Sequence, residues 1–214
     1  VGVSMAIAHA AAASAGVPLY RHLGGGGPLT LPVPMLNIVN GGKHAEDSTD
    51  IQEFMVVPAG FPTFRDALRA GVEVFHALRR HLSERGMGTT VGDEGGFAPK
   101  LASDRAALEL VVGAIERAGY EPGVQCFIAL DVAASELAND GQEYAFARSG
   151  QDFSSHQLVS MYDEWTREYP VISIEDGLGE TDWDGWVELT GRLGRSVQIV
   201  GDDLYTTNPK LIEQ

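Results

Sequence analysis

Three short apolar runs in the second half of the chain each stop at an acid. Phe127-Ile128-Ala129-Leu130 ends in Asp131, and Ile172-Ser173-Ile174 ends in Glu175 with Asp176 beside it. Ile199-Val200-Gly201 ends in Asp202, with Asp203 next. Runs this short and this rich in β-branched residues read as strands buried on both faces. Helix-like stretches over about 155–168 and 183–193 separate them, and alternating strands and helices imply a parallel sheet or barrel. In a parallel barrel the C-terminal ends of all strands lie on one face, where catalytic groups collect. Carboxylates converging there repel one another unless a cation sits between them. No Cys or His joins these positions, so ligation is all-oxygen and favours a hard ion, Mg²⁺ before Mn²⁺. The bland reading of each acid is the N-cap of the next helix. Three successive strands ending this way, twice in a double acid, favour the metal.

Composition narrows the function classes. The 214 residues carry 30 acidic and 15 basic side chains, a net charge of −15, where a nucleic-acid surface would show a basic stripe. A single cysteine, Cys126, excludes an internal disulfide framework and a four-cysteine zinc site, and fits a reducing compartment. No uninterrupted apolar window reaches the ~18 residues of a membrane span. The Ala-rich opening, residues 1–13, lacks a basic leader and contains His9, which argues against a secretion signal. The first residue is Val, and the expectation is a piece of a longer protein.

The first half reads as a helix over 1–16, a Gly-rich connector at 24–28, and two β-like runs at 32–39 and 52–57. Pro32 and Pro34 keep the first run from being an unbroken central strand. Thr63 is placed to cap a helix running to Gly86, with apolar positions Phe64, Leu68, Phe75, Leu78 and Leu82. A Gly-rich loop at 91–99 leads to a second helix over 103–118, with no clear strand between the two. Between 126–130 and 171–174 a hairpin is expected, turning at Asn139-Asp140-Gly141. Thr207-Asn208-Pro209 opens a last helix. Five strand candidates are too few for an eight-stranded barrel, so the fold reads as an incomplete one.

Two further acids invite chemistry. Glu94 has glycine at 92, 95 and 96, so its backbone can approach a ligand closely. Glu53 opens an otherwise apolar strand beside Gln52. A solvated loop acid and an edge-strand charge are the bland alternatives. His44, alone in a polar loop, reads as a bystander. His76 and His81 lie on different helix faces and read as structural.

Five motifs, in order and with matching intervals, carry a family resemblance. They are Asn37-Ile38-Val39-Asn40-Gly41-Gly42-Lys43-His44-Ala45, Asp50-Ile51-Gln52-Glu53-Phe54-Met55, Val91-Gly92-Asp93-Glu94-Gly95-Gly96-Phe97-Ala98-Pro99, Ser173-Ile174-Glu175-Asp176-Gly177 and Gly201-Asp202-Asp203-Leu204. Together they closely resemble enolase, phosphopyruvate hydratase, of bacterial type. The resemblance implies an enolase-type (β/α)8, TIM-like barrel with a ββαα start and an antiparallel second strand, five of eight strands being present. Residues 1–23 would be the tail of the N-terminal capping domain, 24–31 the connector and 32–214 the partial catalytic barrel. The implied reaction is the reversible dehydration of 2-phospho-D-glycerate to phosphoenolpyruvate in glycolysis.

By the same resemblance Asp131, Glu175 and Asp202 would ligate Mg²⁺. Glu94 would be the general acid with Glu53 beside it, and Gln52 and His44 would contact substrate. The family's base lysine lies on a later strand, and Lys43, Lys100 and Lys210 match no such position. This chain alone is therefore expected to be inactive. The family also implies a homodimer or larger oligomer in the whole protein, and a cytoplasmic location with a cell-surface pool in some relatives. The rival readings are another enolase-superfamily dehydratase, which would lack the Gln52-Glu53-Phe54 and Gly92–Gly96 motifs, and a non-catalytic enolase-like binding module.

Overall fold

The structure is a computed structural model describing residues 1–45, 48–92, 94–139 and 143–213. The chain divides into two compact units, Val1–Pro32 and Val33–Gln214. In the first, helix α1 (Gly2–Ser14) ends where Gly16 takes a left-handed φ of 65°. Gly16 N–H donates to Ala13 and Val17 N–H to Ala12, the paired bonds of a Schellman stop. A short helix α2 (Leu19–Gly24), which the sequence reading missed, follows within the same unit.

The second unit is built on one mixed sheet. The two prolines do delay the first strand, so β1 spans Leu36–Asn40. Strand β2 is Glu53–Val57, and β3 (Val91–Gly92) and β4 (Gly95–Phe97) form a small hairpin. The other sheet strands are β5 (Phe127–Asp131), β9 (Val171–Glu175) and β10 (Gln198–Val200). Their order is β10-β9-β5-β2-β1-β4-β3. Strands β10, β9 and β5 are parallel, β2 runs antiparallel to both β5 and β1, and β4 is parallel to β1. The sheet belongs to a barrel that is not closed.

The hairpin corrects the sequence reading, which saw 91–99 as loop. Strands of two and three residues show no period, and β4 exists because β1 offers it a parallel partner at Val39↔Phe97. A second correction lies between β5 and β9. Strands β6 (Ala138–Asn139), β7 (Glu143–Phe146) and β8 (Gln151–Ser154) make a separate antiparallel sheet, where a single hairpin was expected. The expected turn at Asp140 and Gly141 lies outside the described residues.

Helices cover the sheet. Thr63 caps α3 (Phe64–Glu84), its hydroxyl accepting Asp66 N–H at 3.1 Å. The buried stripe of α3 is Ala67, Ala70, Val74, Leu78 and Leu82, whereas the expected Leu68 is exposed. Small residues win that face because α3 lies close to β1: a Cβ at Gly71 would stand 2.5 Å from Leu36 Cδ1. Ser103 caps α4 (Asp104–Arg117), and α5 (Ser155–Glu168) opens with a reciprocal Ser154–Gln157 capping box. Helix α6 (Trp183–Leu193) is capped by Asp182, and α7 (Pro209–Ile212) carries proline in its first turn. Ile38, Phe54, Leu78, Leu108, Ile128, Leu130 and Ile174 are among the fully buried apolar side chains between sheet and helices.

Candidate active site and metal centre

The reversed direction of β2 decides the geometry. An antiparallel strand starts at the end where its parallel neighbours finish, so the first residue of β2 joins the last residues of β5 and β9. The register pairs Asn40 with Glu53, Glu53 with Asp131, and Asp131 with Glu175. Val200 of β10 pairs with Glu175 and extends the row. Three acids distant in sequence thus stand side by side at one end of the sheet.

Two clusters result. Oxygens of Asp131, Glu175 and Asp176 gather within 4.8 Å of one another. Asp131 accepts Ala133 N–H at 3.2 Å, and Gln52 Nε2 donates to its other oxygen at 3.4 Å. Burial, with the charges of Glu53 and Asp176, pushes the Asp131 carboxyl up to about 6. Burial first, then Asp131, Asp176, Asp202 and Glu53, pushes Glu175 up to about 7. The side chains that act on both acids electrostatically are other carboxylates, so the cluster is short of positive charge. A hard, oxygen-seeking divalent cation fits that donor set.

Asp202 stands beside this cluster, exposed, and influences Glu175 through space. Its backbone is held by Asp176, which the sequence reading noted only as a neighbour of Glu175. Asp176 is buried with a left-handed φ of 43°. Its carboxylate accepts the N–H groups of Asp202 (3.1 Å), Asp203 (2.9 Å) and Leu204 (3.4 Å). Its own N–H donates to Val200 at 3.0 Å. Burial raises the Asp176 carboxyl, and these three N–H groups work against the rise.

The second cluster brings together His44, Glu53 and Glu94, again with one ligand atom of each within 4.8 Å of the others. Glu94 is exposed in the turn between β3 and β4. The following glycines have φ of 86° and 70°, and a Cβ at Gly96 would stand 2.9 Å from Asn37 Oδ1. Asn40 Nδ2 donates to the carbonyls of Gly95 and Gly96, and Asn37 donates to Asn40 Oδ1 at 2.6 Å. These two asparagines of β1, whose role the sequence reading missed, anchor the Glu94 turn. Their three-residue spacing was visible, but not where their side chains point.

His44 closes a 3-10 turn (Gly42–His44), and its Nδ1 lies 3.2 Å from Glu53 Oε1. Gly41 permits that turn by close approach, since a Cβ there would stand 1.8 Å from Thr49 Oγ1. Asp50 anchors the far side of the loop by accepting Arg148 N–H (2.9 Å) and Ser149 N–H (3.1 Å). Burial raises the Glu53 carboxyl, His44 opposes the rise and Glu94 adds to it.

The structure therefore brings Gln52, Glu53, Asp131 and Glu175 together, and places His44 and Glu94 against Glu53. A cavity of about 540 Å³ lies instead between α4, α5 and the small sheet, and its lining includes none of these residues. A smaller one of about 400 Å³, lined by Lys43, His44, Gly92 and Glu94, opens on the second cluster. Compared with known families, residues 28–214 match the model of the enolase C-terminal TIM barrel domain.

Proposed function

Because the chain belongs to the enolase C-terminal TIM barrel family, we propose that its carboxylate row serves the reversible dehydration of 2-phospho-D-glycerate to phosphoenolpyruvate. The observation that carries the reading is the alignment of Glu53, Asp131 and Glu175 across three adjoining strands, with Glu94 facing Glu53. Asp131, Glu175 and Asp202 would hold Mg²⁺. When bound, the ion offsets the negative charge that develops on a substrate carboxylate as its α-proton leaves.

The chain's own residues supply the other functions. Glu94, exposed to the cavity, donates a proton to the departing hydroxyl, which is a poor leaving group unless protonated. Glu53, its carboxyl raised by burial while His44 at 3.2 Å opposes the rise, stands beside Glu94. Gln52 bonds Asp131 and, with His44, contacts substrate. The sequence has three lysines. Lys43 pairs with Glu136, and none of the three stands among the groups acting on Asp131 or Glu175. The 214-residue chain is therefore expected to bind Mg²⁺ without abstracting the proton.

Calorimetric titration with Mg²⁺, run beside an absorbance assay of 2-phosphoglycerate dehydration, tests this. Saturable binding by the wild type, weakened at least about tenfold in Asp131→Asn and in Asp202→Asn, is expected. Turnover by this chain would show that the base lies within it. Dehydration of an unphosphorylated acid sugar instead would replace the substrate assignment with that of a related dehydratase.

A further inference from the structure

We propose that Tyr144 and Tyr162 are positioning residues for the carboxylate cluster. They hold the segment 176–182, which follows β9, so that Asp131, Glu175 and Asp176 stay together. The inference rests on the reading of that cluster as a Mg²⁺ site and adds what keeps it assembled. The segment needs holding. Asp176 has a φ of 43°, a left-handed conformation that a residue other than glycine keeps only where its surroundings over-determine it. The clustered carboxylates repel one another, so the restraint comes from residues outside the cluster.

Two fully buried phenols supply it. Tyr162 of α5 donates its hydroxyl proton to the Gly177 carbonyl at 2.9 Å, one residue beyond Asp176. Its ring also closes the space there: a Cβ at Gly177 would stand 3.4 Å from Tyr162 Cε2 and 3.0 Å from Ile174 Cγ2. Tyr144 of β7 accepts Gly179 N–H at 2.9 Å and donates to Asp182 Oδ2 at 2.7 Å. Ser155 donates to the same oxygen at 2.5 Å, and Asp182 Oδ1 accepts Gly185 N–H at 3.1 Å. Trp186 Nε1 donates to the Gly179 carbonyl at 3.1 Å. The segment is thus fixed at Gly177, Gly179 and Asp182 by α5, α6 and the small sheet.

A second set of bonds ties the segment to the turn after β5. Val132 N–H donates to the Glu175 carbonyl at 2.9 Å, and Ala134 N–H to the Asp176 carbonyl at 3.0 Å. Glu180 N–H donates to Ser135 Oγ at 3.0 Å. A shift of the segment is therefore passed to both strand ends, and with it the separation of Asp131 from Glu175. The small sheet contributes no residue to either acidic cluster, yet through Tyr144 it sets the position of one of them. Removing either hydroxyl leaves a buried backbone group of the segment without its partner.

Tyr144→Phe and Tyr162→Phe keep the buried rings and remove one hydroxyl each. Calorimetric titration with Mg²⁺ compares them with wild type and with Ile115→Val. That control is a mildly destabilising core change in α4, which supplies none of the bonds named above. Each tyrosine variant is expected to bind Mg²⁺ at least about threefold more weakly than wild type, and Ile115→Val within about 1.5-fold. Mn²⁺, which takes the same oxygen donors, adds a spectroscopic readout. Water-proton relaxation is expected to show more water on the bound ion in the tyrosine variants, and no change in Ile115→Val. The two variants cut different anchors, so one decides the matter if the other fails to fold. Unchanged Mg²⁺ affinity in a folded tyrosine variant, or an equal loss in Ile115→Val, would overturn the proposal. No Mg²⁺ binding by the wild type would overturn the metal reading itself, and this inference with it.

Discussion

Asp176 shows how one residue can govern another's position. Its two oxygens take three N–H groups of the turn that carries Asp202, and its strained φ of 43° aims them there. Asp176→Ala leaves those donors without their acceptor, at a cost of about 1–3 kcal/mol. Urea denaturation should register that loss. Calorimetry should show Mg²⁺ affinity falling with it, because the cluster loses the Asp176 oxygen and Asp202 is no longer held beside Glu175. An unchanged affinity would mean that the turn does not position the ion.

Three acids also make a pH prediction at this scale. Asp131 is pushed up to about 6, Glu175 to about 7, and Asp104, buried and accepting Ile51 N–H, to about 6, burial being the first cause in each. Unfolded, such groups titrate near 4. Between about pH 4 and 7 the folded chain binds more protons, so these groups make stability fall as pH rises through that window. His81 works the other way. Burial, then Arg117 and Arg85, lowers its pKa, so stability is lost as the unfolded imidazole takes up a proton below about pH 6.5. Without metal, the chain should melt higher near pH 6 than at pH 8. Mg²⁺, which competes with protons for the carboxylates, should raise the melting temperature more at pH 8. Scanning calorimetry at the two pH values checks both statements.

Among the elements, the β3–β4 hairpin depends most on residues outside itself. Gly96→Ala puts a Cβ 2.9 Å from Asn37 Oδ1 and 3.0 Å from Asn40 Nδ2, at a φ of 70°. The expected loss is about 1–3 kcal/mol, read by denaturant titration. How much could be read from sequence also varies by element. Helices α3, α4, α5 and α6 were legible because caps and apolar spacing are local, as were the strand-end acids Asp131 and Glu175. Strands β3, β4 and β8 were not, because their pairing partners lie elsewhere in the chain. Glu53 was visible as an acid at a strand's start. Its place beside Asp131 follows from the reversal of β2, which came from family resemblance and not from local pattern. The roles of Asn37, Asn40 and Asp176 needed side-chain directions that spacing does not encode.

Across the whole molecule, the sheet ends at β10 and β3, and the barrel is open. Ile199 and Val200 of β10 are only partly covered, and the open side of such a strand invites pairing with another chain. Sedimentation of this chain alone should therefore show association that grows with concentration; a clean monomer at all loadings would contradict it. The carboxylate row has a different consequence. Glu53, Asp131 and Glu175 meet only if β2, β5 and β9 pair in one register, and a slip of one residue turns a side chain to the opposite face. A hard luminescent ion such as Tb³⁺, added during refolding, should brighten only when all three strands have locked. The cluster would then serve as a built-in stopwatch for assembly of the sheet.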